Sequence, residues 1–148
     1  MLPKAENPIF LNSSLQKMTL QKLLSMLAGG AFLLALQCSA HAGAPPVNLE
    51  DAREALEKSS MVVIDIREPR EHATGVAKGA LLIPMGQLFR RLEELPKPAK
   101  QPFLVICHTQ NRSSRMVEQL HAAGYSNASY VKGGMSQWAA RGWPMVKP

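Results

Sequence analysis

Cys107 is followed by five polar residues, His108, Thr109, Gln110, Asn111 and Arg112, and then by Ser113, which opens a stretch with an apolar stripe. A thiol reacts as its thiolate, and thiolates are favoured at helix N-termini and beside cations. This segment offers both. A tight loop running into a helix turns its backbone N–H groups inward, the helix N-terminus adds roughly half a positive charge, and Arg112 adds a full one. The same cradle suits the anionic end of a persulfide or a bound oxyanion. The competing reading is a buried core cysteine that happens to end a strand; the polar loop, the helix start and the arginine all weigh against it. His108 could steady a thiolate as a cation, donate a hydrogen bond when neutral, or face solvent.

Such a loop needs a strand behind it and a helix ahead. Phe103 to Cys107 (FLVIC) is the most apolar short run after residue 42, which fits a buried strand. Ser113 to Ala123 has helical spacing in Met116, Val117 and Leu120, with Gly124 at the stop position. Met61 to Ile66, Ala80 to Ile83 and Asn127 to Val131 read as further strands. Asn48 to about Lys58, Met85 to Leu95 and Met135 to Arg141 read as helices, and Arg67 to His72 as a charged loop. Alternation of this kind predicts an α/β domain with a central parallel sheet and helices on both faces. In open sheets of that class ligands bind beyond the carboxyl ends of the strands, where Cys107 falls.

Asp65 and Arg67 flank the end of the first strand, and an ion pair that fixes the following loop is the preferred reading over a role in the pocket. His72 and His121 stand apart from other ligating residues in the sequence, so a metal site is not expected. Trp138 and Trp143 read as packing residues, and the RRLEEL stretch around Arg90 as a solvated helix face.

The 148 residues suit one modest domain, and 46% hydrophobic against 19% charged residues is a globular balance. Leu23 to Leu36 is apolar and uncharged, follows Lys17 and Lys22, and ends near Ala40-His41-Ala42, a small-x-small pattern. Residues 1–42 therefore read as a secretory signal peptide, with Met18 as an alternative start. The apolar run is short of the roughly 20 residues that span a bilayer, so no stable membrane insertion is expected after its removal; an uncleaved membrane tether is the alternative. Residues 43–47, with Pro45-Pro46, read as a linker, and 48–148 as the domain. From residue 43 on, fourteen basic and ten acidic residues leave a net +4, down from +6 for the whole chain. No basic run is interleaved with aromatics, so nucleic acid is not an expected partner. Cleavage after Ala42 would remove Cys38 and leave Cys107 as the sole thiol in an oxidising compartment.

Four stretches together resemble the rhodanese homology domain. They are VVIDIREPREHATG, with Asp65, Arg67, Glu71 and Gly75; KGALLIP, with Gly79, Ala80 and Pro84; CHTQNRS, with Cys107, Arg112 and Ser113; and GYSNASYVKGGMSQWAARGWP. The resemblance covers nearly everything from residue 48 onward and, with the signal peptide, is similar to small periplasmic sulfurtransferases of the phage-shock-protein-E type. It implies a Cys107 persulfide held by the loop from His108 to Arg112, a scaffold role for Asp65, Arg67 and Ser113, no cofactor, a small anionic sulfur donor such as thiosulfate, and a thiol or cyanide acceptor, a small thiol-carrier protein included. Gln110 occupies the family's usual loop glycine and would be strained if that position needs a positive φ. Val76 and Leu82 replace the family's frequent histidine and asparagine. Two other readings stand beside this one: a non-catalytic module that keeps the fold for partner binding, and a cysteine-based phosphatase. Phosphatases of this fold resemble Cys-x5-Arg, whereas four residues separate Cys107 from Arg112 here, and the shorter loop suits an anionic sulfur better than a tetrahedral phosphate.

Overall fold

The computed structural model describes residues 45–98 and 100–148. The export segment expected over residues 1–42, Met18 included, lies outside the described residues, as do residues 43 and 44 of the expected linker.

Helix α1 spans Leu49–Glu57. The Asn48 side chain accepts the Asp51 N–H at 2.8 Å, and Glu50 and Asp51 occupy the first turn, where the helix dipole favours acids. Leu49, Ala52 and Ala55 form its buried stripe. Strands β1 (Val62–Asp65), β2 (Leu81–Leu82), β3 (Phe103–Ile106) and β4 (Ala128–Tyr130) pair in parallel in the order β2-β1-β3-β4. The register sets Asp65 beside Ile106 and Val105 beside Tyr130, so the central pair β1 and β3 end at the same rim. Helices α3 (Asn111–Ala122) and α4 (Gly134–Ala140) complete the α/β layering.

Successive strand residues face opposite sides of the sheet. Phe103, Val105 and Cys107 therefore pack with Met116, Val117 and Leu120 of α3, while Leu104 and Ile106 pack with α1, Met135 and Trp138. Helices cover both faces, as expected for an all-parallel sheet. Cys107 continues the α3 side, so its thiol is delivered under the start of that helix.

Four local expectations differ from the structure. Pro69–His72, expected as charged loop, is a one-turn helix, α2. Proline stands at its first position, and the Glu71 carboxylate reaches back to the Glu68 N–H at 2.9 Å, the two features that open a helix. Met85–Leu95 is not one α-helix but two 3-10 turns, Met85–Arg90 and Leu92–Glu94, with a break at Arg91 (φ −124°, ψ 29°). Gly86 weakens an α-helix there, and the tighter turns still bury Leu88 and Leu95 in the core. Helix α3 begins two residues before Ser113, because the Ser114 N–H already reaches the Gln110 carbonyl at 2.8 Å. Val47 is not linker: its N–H donates to Tyr130 O and its carbonyl accepts the Lys132 N–H, both at 2.9 Å, which extends the sheet edge beside β4.

Candidate active site

Cys107 immediately follows β3 and is fully buried, as is Ser113. The Ser113 N–H donates to the Cys107 Sγ at 3.4 Å, and the thiol lies 3.4 Å from Ser113 Oγ, which donates onward to the Gln110 carbonyl at 3.1 Å. The serine can turn its hydroxyl hydrogen from that carbonyl to a thiolate, so neutral and ionised sulfur both find a partner. Expected as a scaffold residue, Ser113 is the side chain that touches the sulfur.

The loop path is set from the other side of the sheet. The first free N–H groups of α4 take the loop carbonyls: Met135 N–H donates to Cys107 O at 2.9 Å and Ser136 N–H to His108 O at 2.8 Å. With carbonyls drawn outward, the amides of a tight loop turn inward. Among the described residues, no protein acceptor takes the N–H groups of His108, Thr109, Gln110, Asn111 or Arg112. Gly134 (φ +62°) permits the approach. A Cβ there would lie 2.6 Å from Cys107 O and 2.7 Å from His108 O, distances that no side chain tolerates.

Gln110 has φ −173°, an extended value open to any residue, so the strain expected from a positive φ is absent. Its side chain does not cap α3 but accepts the Gly133 N–H on Oε1 at 3.0 Å. His108, Thr109 and Asn111 are exposed around the loop.

The Arg112 guanidinium, expected to lend its charge to the sulfur, forks the Glu71 carboxylate at 2.8 Å and 2.6 Å, and Cys107 is among the charges that act on it. That fork, with the Glu68 N–H as a further donor, holds the Glu71 carboxyl down to about 2, and the carboxylate in turn raises the Arg112 guanidinium. The arginine thus ties the start of α3 to α2. Asp65 and Arg67 form the expected structural pair: the Arg67 Nη2 lies 2.7 Å from Asp65 Oδ2 and also donates to Gly75 O at 2.8 Å, which fastens the loop after α2 to the end of β1. His72, read as isolated in the sequence, is buried with its Nε2 3.5 Å from Asp65 Oδ1.

A model of the rhodanese-like domain matches residues 48–141. The chain belongs to the rhodanese family. This rhodanese domain is 32% identical over 92 residues to a sulfurtransferase of Allochromatium vinosum, a match that spans 62% of this chain and 84% of the relative. It is 33% identical over 93 residues to the thiosulfate sulfurtransferase GlpE of Pseudomonas putida, covering 62% of this chain and 81% of that one. Among solved structures, a rhodanese-related protein from Thermoplasma volcanium superposes with a TM-score of 0.61 at 31% identity, over 70% of this chain and 98% of the other. A human single-domain sulfurtransferase gives 0.58 at 26% identity, over 67% and 98%.

Within the rhodanese domain the structure brings Cys107 and Ser113 into contact and gathers His108 to Arg112 around them, while Asp65 and Arg67 stay behind the rim. Sequence reasoning missed three contributors. Glu71 stood in the sequence as the third helical position of a Glu-Pro-x-Glu capping pattern, which carries no sign of its pairing with Arg112. Gly134 was visible only as half of a glycine pair, and the Met135 and Ser136 amides carry no side-chain signal at all.

Proposed function

We propose that this chain is an exported sulfurtransferase that carries sulfane sulfur on Cys107. The observation that carries the reading is the Cys107 sulfur set against the Ser113 N–H, next to five consecutive N–H groups, His108 to Arg112, that have no protein acceptor among the described residues. Free amides at a helix start suit the outer, anionic sulfur of a persulfide. The family and the sulfurtransferase relatives support it.

In the first half-reaction the Cys107 thiolate attacks the outer sulfur of thiosulfate or a similar donor. A new S–S bond forms, the old one breaks, and sulfite leaves with the bonding pair. In the second, cyanide or a thiolate attacks the outer sulfur of the persulfide and Cys107 departs as thiolate; the acceptor leaves as thiocyanate or as a new persulfide. A thiol on a small carrier protein would serve as well as a free one. Ser113 steadies the thiolate at both ends of the cycle, and the loop amides hold the transferred sulfur between them. No cofactor enters. The four residues between Cys107 and Arg112 favour this over phosphate-ester hydrolysis, since the shorter loop suits an anionic sulfur better than a tetrahedral phosphate. The reading places the protein in the periplasm, on the strength of the signal-peptide pattern within residues 1–42.

Intact mass spectrometry after incubation with thiosulfate tests the chemistry. The wild type should gain one sulfur atom and lose it to cyanide, whereas Cys107→Ala should gain none. A wild type that stays unchanged, or an alanine variant that loads equally, would sink the proposal. Phosphatase activity on an aryl phosphate that vanishes in Cys107→Ser would redirect it. For the location, the exported protein should begin at residue 43 when its N-terminus is sequenced.

A further inference from the structure

We propose that Gln110 is a positioning residue: its side chain is a latch that holds the sulfur loop closed over Cys107 through the Gly133 N–H. Two observations independent of each other lead here. Cys107 is 0% exposed, so neither a sulfur donor nor an alkylating reagent meets its sulfur until the loop opens. And Gln110 ties the loop to the glycine turn through its side chain, in addition to the Ser114 N–H bond to its carbonyl that any residue could accept.

Besides the α3 bonds from Ser114 N–H and Ser113 Oγ to the Gln110 carbonyl, the loop is held against the glycine turn and α4 at two places. At its start, the Cys107 and His108 carbonyls are fixed by the Met135 and Ser136 N–H groups of α4. Those bonds are main chain and independent of side-chain identity. At its end, Gln110 occupies the cap position of α3 but leaves that helix uncapped; its Oε1 accepts the Gly133 N–H at 3.0 Å across a separation of 23 residues. Only the carbonyl end of the amide can receive an N–H, so the orientation of the side chain is fixed. Gly133 and Gly134 are the same turn that receives the loop start. The latch therefore closes a ring: loop start to α4, loop end to the turn before α4. A glycine at this position would have no side chain to make the second tie.

A neutral hydrogen bond contributes a net 0.5–1.5 kcal/mol, which is about a two- to tenfold change in an opening equilibrium. Two of the consequences do not depend on sulfur transfer: the Gly133 amide is protected from exchange, and Cys107 is shielded from a neutral alkylating agent. The third, a longer-lived persulfide, rests on the function proposed above.

The test compares wild type with Gln110→Met, which keeps length but loses the carbonyl acceptor, and Gln110→Glu, which keeps an acceptor. Gly133 amide exchange is followed by NMR and Cys107 alkylation by iodoacetamide with mass detection. In Gln110→Met, alkylation should quicken and Gly133 exchange should accelerate, each about two- to tenfold; Gln110→Glu should restore Gly133 protection. After thiosulfate loading, the methionine variant should also surrender its extra sulfur to a free thiol faster by a similar factor. A Gly133 amide that exchanges in the wild type like an exposed amide overturns the latch without any variant. So does a methionine variant with wild-type alkylation and exchange. A wild type that never loads sulfur defeats the proposed function instead, and exchange and alkylation still decide the latch.

Discussion

Arg67 and Asp65 are both buried, at 3% and 0% exposure, and each satisfies the other. The carboxylate receives the Arg67 Nε at 2.9 Å and Nη2 at 2.7 Å, and the Arg67 backbone N–H at 3.0 Å. Removing one partner strands the other charge in a place water does not reach. Arg67→Met should therefore cost about 3–5 kcal/mol in urea unfolding. The double variant with Asp65→Asn should recover part of that loss, since it no longer buries an unmatched carboxylate. Ser113 is a different kind of buried polar residue. Its N–H and hydroxyl are turned to the Cys107 sulfur rather than to a fold-wide ion pair, which is why it belongs to the site and Arg67 to the scaffold.

At the level of elements, the site is a meeting of helix ends. Helix α3 brings the Ser113 N–H, α4 takes the loop carbonyls, and α2 holds Arg112 through Glu71. The last contact is titratable. With the folded Glu71 carboxyl at about 2 against an ordinary 4.5, its stabilisation is fully present above pH 4.5 and is lost as pH falls toward 2. Glu71→Gln should lower stability at neutral pH by about 1 kcal/mol, a value kept small by partial exposure of the pair. The gap between variant and wild type should shrink as denaturation curves are taken from pH 5 down to pH 2.5. A gap that stays constant over that range would separate Glu71 from the pH response. The same bridge ties Arg112, at the start of α3, to α2, and the start of α3 carries Ser113.

For the molecule as a whole, two apolar layers on one four-stranded sheet carry the stability, and the reactive loop is clamped by a helix from each. Leu120 is fully buried in the layer beneath α3, beside Phe103 and Val105. Leu120→Ala should cost about 3 kcal/mol by lost transfer energy and cavity formation, or a fall of roughly 12–24 °C in Tm for a domain of about 100 residues. A thermal scan by circular dichroism checks it, and a shift of only a few degrees would mean that the layer collapses around the gap.

Much of this was determined by local sequence. Asn48 caps a helix because its side chain reaches the Asp51 N–H three residues on. Phe103 to Ile106 make a buried strand because an unbroken apolar run needs cover on both faces. Cys107, followed by a polar loop and a helix start, marks the candidate reactive position by residue type and spacing. Other features could not be read that way. The periodicity of Leu88, Leu92 and Leu95 suits an α-helix, yet burying Leu88 and Leu95 around Gly86 took two 3-10 turns. The partner of Arg112 lies 41 residues away, and the acceptor for the Gly133 N–H lies 23 residues before it. The carbonyls that Gly134 must clear belong to a loop on another strand. Local propensity and capping act within a few residues, so sequence displays them directly; contacts between chain segments depend on where the sheet sets the strand ends, and only the folded structure brings those ends together.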